Sequence, residues 1–432
     1  MIFRRLFERL AVSAAMSLAL FAAPAFAGDP AIPSAAPSPA PASAPAAPSR
    51  DRIRMNQRVF DQVWNEVRRE YYDPHLHGVD WSAARRTWRP VALAAPDDRM
   101  LYRSLREMLN LLDDDHAGAA PPAVARRQDQ LRAPRAAVGL SLRADRDNQD
   151  SYLVEQVREG SPADEAGVGV GWRLITDGAT GWTPEQDVVE GRPLVLTMID
   201  AEGAARPTIL NPRVMEPRPA FVADRTRPNV LVLRVEGFEQ GLGRWMGQQL
   251  ADLAPETDVV LDLRGNPGGR LMEADAVLSC FLPTNRAWAT RTSRNGRRIE
   301  LKTAGGCGGL TGPVANDVAV LVDDQSRSAA ELTPAALQEA RRAVVVGVPT
   351  AGAVLISQET RLPDGGRLTL SRADFVTSGG VRLEKLGVTP DVAAAVTPQD
   401  RRAGRDPALE AAVAALAPPR PDRAQAAIAA PL

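Results

Sequence analysis

The chain reads as an α/β multidomain protein: a helical start, a small β domain in the middle and a βαβ core. Three observations predict this. Apolar residues recur at helical spacing between positions 54 and 125. Within 134–217, Val138 to Leu142 reads as a loop leading into a strand and Ser161 to Val168 as a small helix and turn. From 228 to 396 short apolar strands alternate with helical stretches, the mark of parallel βαβ units with helices covering the sheet.

At 432 residues there is room for two or three domains. Formal charge is -1 and hydrophobic content 44%, so neither nucleic acid nor an acidic membrane is an implied partner. Residues 1–27 read as an export signal: Arg4, Arg5 and Arg9, then apolar Leu10 to Phe21, then the small-x-small site Ala25-Phe26-Ala27. No cysteine follows that site and no later segment is apolar for long enough to span a bilayer. The expectation is a periplasmic or secreted protein with no stable membrane anchor after signal cleavage. Residues 28–50 are rich in Pro, Ala and Ser and read as a tether. Cys280 and Cys307 are the only cysteines, and in an oxidising compartment they form a possible disulfide. One buried thiol and one loop thiol is the other reading.

A helical domain is expected at 51–125. Phe60, Val63, Trp64, Val67 and Tyr71 form one stripe, ended by Tyr72-Asp73-Pro74. Asp80 caps a second helix, and Leu105, Met108, Leu109 and Leu112 form a third stripe. In the core, expected at 225–398, strands are placed at 230–235, 259–263, 318–322 and 343–348. Helices are placed at 245–253, 272–282 and 329–340, and Gly365-Gly366 marks a hairpin. Within 399–432 a short Ala-rich helix, Pro407 to Leu416, leads into a Pro/Ala tail expected to be disordered.

Ser326-Arg327-Ser328-Ala329-Ala330-Glu331 lies where a buried strand opens a helix. Helix N-terminal amides there point at an incoming oxyanion, which suits an acyl-transfer nucleophile. An ordinary N-cap serine is the alternative. Upstream, Val259 to Leu263 runs through Asp262 and Arg264 into Gly265-Asn266-Pro267-Gly268-Gly269. Downstream come Ala343 to Gly347, Thr350-Ala351-Gly352 and Gly387-Val388-Thr389-Pro390-Asp391. From about Val59 to about Val396, this ordered set resembles the C-terminal processing, or tail-specific, serine peptidases and their tricorn-core relatives.

The resemblance implies a crotonase-like core and a PDZ-like domain at 134–217. In the latter, Val138, Gly139, Leu140 and Ser141 would form a peptide-binding carboxylate loop. Gly171-Trp172 departs from the usual Gly-Asp. The nucleophile's position matches Ser328. The position of the general-base lysine matches Ala353, which has no proton acceptor. Lysine occurs only at 302 and 385, and neither suits the role. The tricorn-like branch instead uses a histidine in Leu-x-Asp-x-His and a glutamate before Gly-Val-x-Pro-Asp. Those positions match His116, within Leu112-Asp113-Asp114-Asp115-His116-Ala117, and Glu384. Imidazole both takes and returns a proton near neutral pH, and a carboxylate fixes its tautomer. Asp115 replaces the assisting serine of that branch, and lysine-dependent relatives carry this histidine without using it as a base. A structural hinge is therefore the second reading of His116.

The same resemblance assigns an oxyanion hole to Gly268 or Gly269 together with the amide of Ala329, and a supporting role to Gln358 after a one-residue insertion. Asp262 and Arg264 brace the turn. Consecutive acids rarely converge on one ion, so Asp113 to Asp115 suggest no metal site, and no metal or organic cofactor is expected. The implied function is an exported serine endopeptidase acting near exposed, apolar C-termini of protein or peptide substrates. The alternative is an inactive pseudo-peptidase that binds C-termini as a scaffold.

Overall fold

The computed structural model describes residues 47–129, 133–144, 151–175 and 188–416. The expected export signal, nearly all of the Pro/Ala-rich tether and the C-terminal tail lie outside the described residues.

The chain opens with α1 (Arg50–Glu70), α2 (Trp81–Leu93) and α3 (Asp98–Asn110). Each has a side-chain N-cap: Ser49, Asp80 and Asp97 accept from the amides of Arg52, Ala83 and Met100. The expected stripe of α1 is buried, and Tyr71 closes it as C-cap. β1 (Gly118–Ala120) and α4 (Pro122–Asp129) follow.

Next come β2 (Arg135–Ala137), β3 (Leu140–Ala144), β4 (Ser151–Val157), α5 (Pro162–Glu165), β5 (Arg173–Ile175), β6 (Leu194–Ile199), β7 (Ala205–Leu210) and β8 (Arg213–Met215). β3-β4-β5-β6-β7 form an antiparallel sheet with β3 at one edge, and β2 pairs with β8. Its core is Val138, Val154, Ala163, Leu174, Leu196, Met198 and their neighbours.

The remainder comprises β9 (Phe221–Asp224), β10 (Val230–Val235), α6 (Leu242–Leu250), β11 (Asp258–Asp262), α7 (Leu271–Phe281), β12 (Ala287–Ser293), β13 (Arg298–Lys302) and β14 (Val318–Val322). It continues with α8 (Ala329–Glu339), β15 (Val344–Gly347), β16 (Ile356–Arg361), β17 (Arg367–Thr377), β18 (Val392–Ala393), α9 (Pro398–Arg402) and α10 (Pro407–Leu416). A six-stranded sheet runs β18-β15-β14-β11-β10-β9, parallel except for β9. Helices α6, α7 and α8 bury one face, while α10 packs Ala408, Ala412 and Leu416 on the other. β11 and β14 are apolar almost throughout, as strands covered on both faces must be.

Two features cut across the expected domain limits. β1 falls inside the expected helical region and pairs with β17, Gly118 opposite Thr369. The helical cluster also includes Leu362, Leu368 and Leu370, so the first three helices share a core with the β16–β17 hairpin. β9 joins the six-stranded sheet just before the expected start of the core. Cys280 in α7 and Cys307 in a 3-10 turn are joined, their Cα atoms 4.7 Å apart.

Candidate active site

β11 and β14 are parallel neighbours, and the segments leaving their carboxyl ends meet. After β11, fully buried Asn266 organises the turn. Its Nδ2 donates to the Val235 carbonyl and its Oδ1 accepts the Gly268 amide, both at 2.8 Å. Gly268 has φ 94°, and a Cβ there would lie 2.7 Å from both the Arg327 carbonyl oxygen and the Ser328 Cβ. Glycine is thus required by backbone sign and by close approach to Ser328. The Gly268 amide is committed to Asn266. The amides of Gly269 and Ala329 have no hydrogen-bond partner among the described residues. Of the two glycines, Gly269 is therefore the one whose amide is uncommitted, as is the amide of Ala329.

Ser328 is half-buried and has φ 54°, ψ −117°, a strained conformation for a residue with a side chain. Its amide donates to the Ala353 carbonyl (2.7 Å) and to Glu331 Oε2 (3.0 Å), and its carbonyl accepts from the amides of Glu331 and Leu332. The strain is held in place by Glu331, a fully buried carboxylate that also accepts from the Thr350 hydroxyl and the amides of Gly352 and Ala353. Burial pushes the Glu331 carboxyl above its ordinary range, against those hydrogen bonds. Glu331 therefore ties the helix start to the 350–353 loop.

His116 sits between α3 and β1, so the pairing of β1 with β17 anchors its loop. Its amide donates to Asp114 Oδ1 at 2.8 Å. Burial pushes the imidazole below its ordinary value of 6.5; Asp114 opposes this, Arg327 reinforces it, and Glu331 and Asp115 oppose it. Arg327 and Glu331 flank Ser328, so the ring lies within electrostatic reach of the segment around Ser328. It makes no hydrogen bond with the Ser328 hydroxyl among the described residues. A buried, neutral imidazole is a proton acceptor at neutral pH.

Glu384 is buried, and its Oε2 accepts the Val354 amide at 2.8 Å. Burial raises its carboxyl, the Val354 amide opposes, and the Asp114 charge adds to the rise. It makes no hydrogen bond with His116 among the described residues. This departs from the assigned triad; Oε2 is held instead by the backbone of the loop that carries Ala353. Gln358 is a second departure: it is exposed on β16, as are its neighbours Ser357 and Glu359.

The lysines are engaged elsewhere. Lys385 Nζ pairs with Asp115 (3.2 Å) and Asp113 (3.5 Å). Partial burial would lower its pKa, but those carboxylates raise it, so it stays charged. Lys302 pairs with Glu300 at 2.9 Å. Arg264 braces Asp262 (2.6 Å) and reaches Asp406 (2.8 Å) before α10.

In the small sheet, Val138 is buried and its carbonyl accepts the Ala163 amide. Gly139, at φ 82°, accepts from Arg158 through its carbonyl, and a Cβ there would strike Ser161 Cβ at 2.1 Å. Contact with the cap of α5 is enough to require this glycine. Leu140 and Ser141 begin edge strand β3. Asn266 and Asp114 were not assigned roles from sequence. Asn266 carries no signal beyond its place in the turn, and Asp114 stands in the histidine signature among two other acids.

Residues 229–394 match the profile of Peptidase family S41, and residues 55–110 match the Tricorn protease C1 domain. The chain thus carries a serine peptidase domain of family S41. Among its relatives is a carboxyl-terminal-processing protease of Synechocystis sp., 26% identical over 350 residues that span 78% of this chain and 80% of that one. Another is a putative tricorn protease homolog 2 of Streptomyces coelicolor, 28% identical over 391 residues that span 83% of this chain and 32% of that one. The solved photosystem II D1 C-terminal processing protease superposes on 84% of this chain and 97% of its own length, with a TM-score of 0.60 at 22% identity, a likeness of fold.

Proposed function

We propose that this S41 peptidase is an exported endopeptidase that cuts near exposed C-termini, with Ser328 as nucleophile and His116 as general base. The observation that carries this reading is the packing of the glycine turn on Ser328, which leaves the Gly269 and Ala329 amides free beside a strained serine. Ser328 Oγ would attack the scissile carbonyl carbon as its proton passes to the imidazole. The two amides take the oxyanion. The imidazole returns the proton to the leaving amine, and water repeats the sequence on the acyl-enzyme. No residue here requires a metal.

Edge strand β3 suits capture of an extended substrate end by strand addition, with specificity for apolar C-termini coming from the loop at Val138 to Ser141. The basic, apolar and small-x-small succession in residues 1–27 supports export. Alanine at 353 favours a second reading, a C-terminus-binding scaffold without turnover. A fluorophosphonate probe separates the two. Labelling that disappears in Ser328→Ala, with hydrolysis lost in His116→Ala, is expected. A wild-type protein that the probe never labels supports the scaffold.

A further inference from the structure

We propose that Asp114, rather than Glu384, is the carboxylate that orients the His116 imidazole, and that the Tyr71 hydroxyl holds Asp114 in position. The inference rests on the reading of His116 as general base.

Three buried polar atoms next to the imidazole lack hydrogen-bond partners among the described residues: His116 Nδ1, Asp114 Oδ2 and the Tyr71 hydroxyl. Buried polar atoms are rarely left so. Here they adjoin one another. The Asp114 side chain has no solvent exposure, and its Oδ1 lies 3.8 Å from His116 Nδ1. Closing by about 1 Å reaches hydrogen-bond distance. Catalytic hydrogen bonds are often long before substrate arrives. Tyr71 caps α1 and is fully buried, and the Asp114 charge adds to the burial that keeps its hydroxyl protonated. It is therefore a donor facing an acceptor that lacks one.

The arrangement meets what the chemistry needs. Nδ1–H donates to Asp114, which leaves Nε2 with its lone pair for the Ser328 proton. When that proton transfers, Asp114 stays ionised and stabilises the imidazolium; no proton moves onto it. Asp114, not Glu384, is the carboxylate within ion-pair distance of a His116 ring nitrogen among the described residues. Asp114 is also the carboxylate that acts most strongly on the ring, whose other charged neighbours include Arg327, Glu331 and Asp115. Asp114 and Tyr71 are positioning residues in this scheme.

Nitrogen-15 NMR of the imidazoles tests this without requiring proteolysis, because the chain has three histidines and His116→Gln assigns the signal. The neutral His116 ring of the wild-type protein is expected as the Nδ1–H tautomer. Asp114→Asn keeps an acceptor for the His116 amide and should lower the His116 titration midpoint by about one pH unit or more. Glu384→Gln should leave that midpoint in place. On a fluorogenic peptide with an apolar C-terminus, Asp114→Asn should reduce kcat at least ~10³-fold with KM unchanged, and Tyr71→Phe roughly tenfold. An Nε2–H tautomer in the wild type overturns the proposal even where Asp114→Asn does not fold. So does an Asp114→Asn protein with unaltered titration, or loss of kcat in Glu384→Gln alone. If the probe never labels Ser328 but the tautomer and the shift are as expected, it is the peptidase reading that fails and the Asp114–His116 pair that stands.

Discussion

At the scale of single residues, the site depends on two groups held where they would not rest on their own. Ser328 has a positive φ that costs on the order of 1–3 kcal/mol, sustained by its amide bonds to Ala353 and Glu331. His116 is kept neutral by burial, with Arg327 adding to the effect. The sign of that shift sets a pH dependence. With His116 as the proposed base, active when neutral, the acid limb of kcat/KM should lie below 6.5, the ordinary imidazole value, and activity should persist at pH 6.5. The stability linkage runs the same way. The unfolded imidazole protonates below about 6.5 while the folded one resists, so this group's contribution is present above 6.5 and is lost as pH falls toward the folded value. A pH–rate profile whose acid limb lies above 6.5 would show that another group, or a raised histidine, is titrating.

At the scale of elements, the glycine turn after β11 and the start of α8 act as one unit. Gly268→Ala would place a methyl 2.7 Å from Ser328 Cβ and from the Arg327 carbonyl, at a φ of 94°. Backbone surrounds most of that space, so the turn must move and take the Gly269 amide with it. A loss of kcat of roughly 10²-fold or more is expected, as for removal of one oxyanion donor, together with lower thermal stability. Steady-state kinetics beside a melting curve reads both, and an unchanged kcat would remove Gly269 from the oxyanion hole. These elements were legible because they are local: βαβ alternation, the Gly-Gly turn and the serine at a strand-to-helix junction are all written in contiguous residues. The supporting contacts were not. Glu331 stands one helical turn after Ser328 in the sequence, yet its four donors come from its own helix start and from a loop about twenty residues on. Glu384 matched a motif position, and which amide would claim its oxygen was not written in that motif. Gln358 needed a one-residue insertion, and it lies in an exposed stretch of β16 with Ser357 and Glu359.

At the scale of the whole molecule, the site is assembled from distant stretches of sequence by two packing arrangements. The first joins α1, α2 and α3 to the β16–β17 hairpin, so that β1 carries His116 against the core. No periodicity in residues 51–125 discloses this, because the partners Leu362, Leu368 and Leu370 lie more than 200 residues away. The second is the cover of the six-stranded sheet by α10, which buries Val260, Ala319, Leu321 and Val346 completely. Asp406, just before α10, also pairs with Arg264, which braces Asp262 at the head of the glycine turn. A chain ending at Ala403 would therefore expose one face of β11, β14 and β15 and remove one arm of that brace. The loss should be on the order of 3 kcal/mol or more, given about 1.5–3 kcal/mol for each large apolar side chain returned to water. It should appear as a lower urea midpoint and as dye binding to the uncovered sheet. If turnover falls only in proportion to the folded fraction, α10 serves the fold alone. If the fully folded truncated protein still loses kcat, the Asp406–Arg264 contact also sets the glycine turn. An unchanged urea midpoint would show that the apolar face under α10 contributes nothing to holding the strands that carry Ser328 and Gly269.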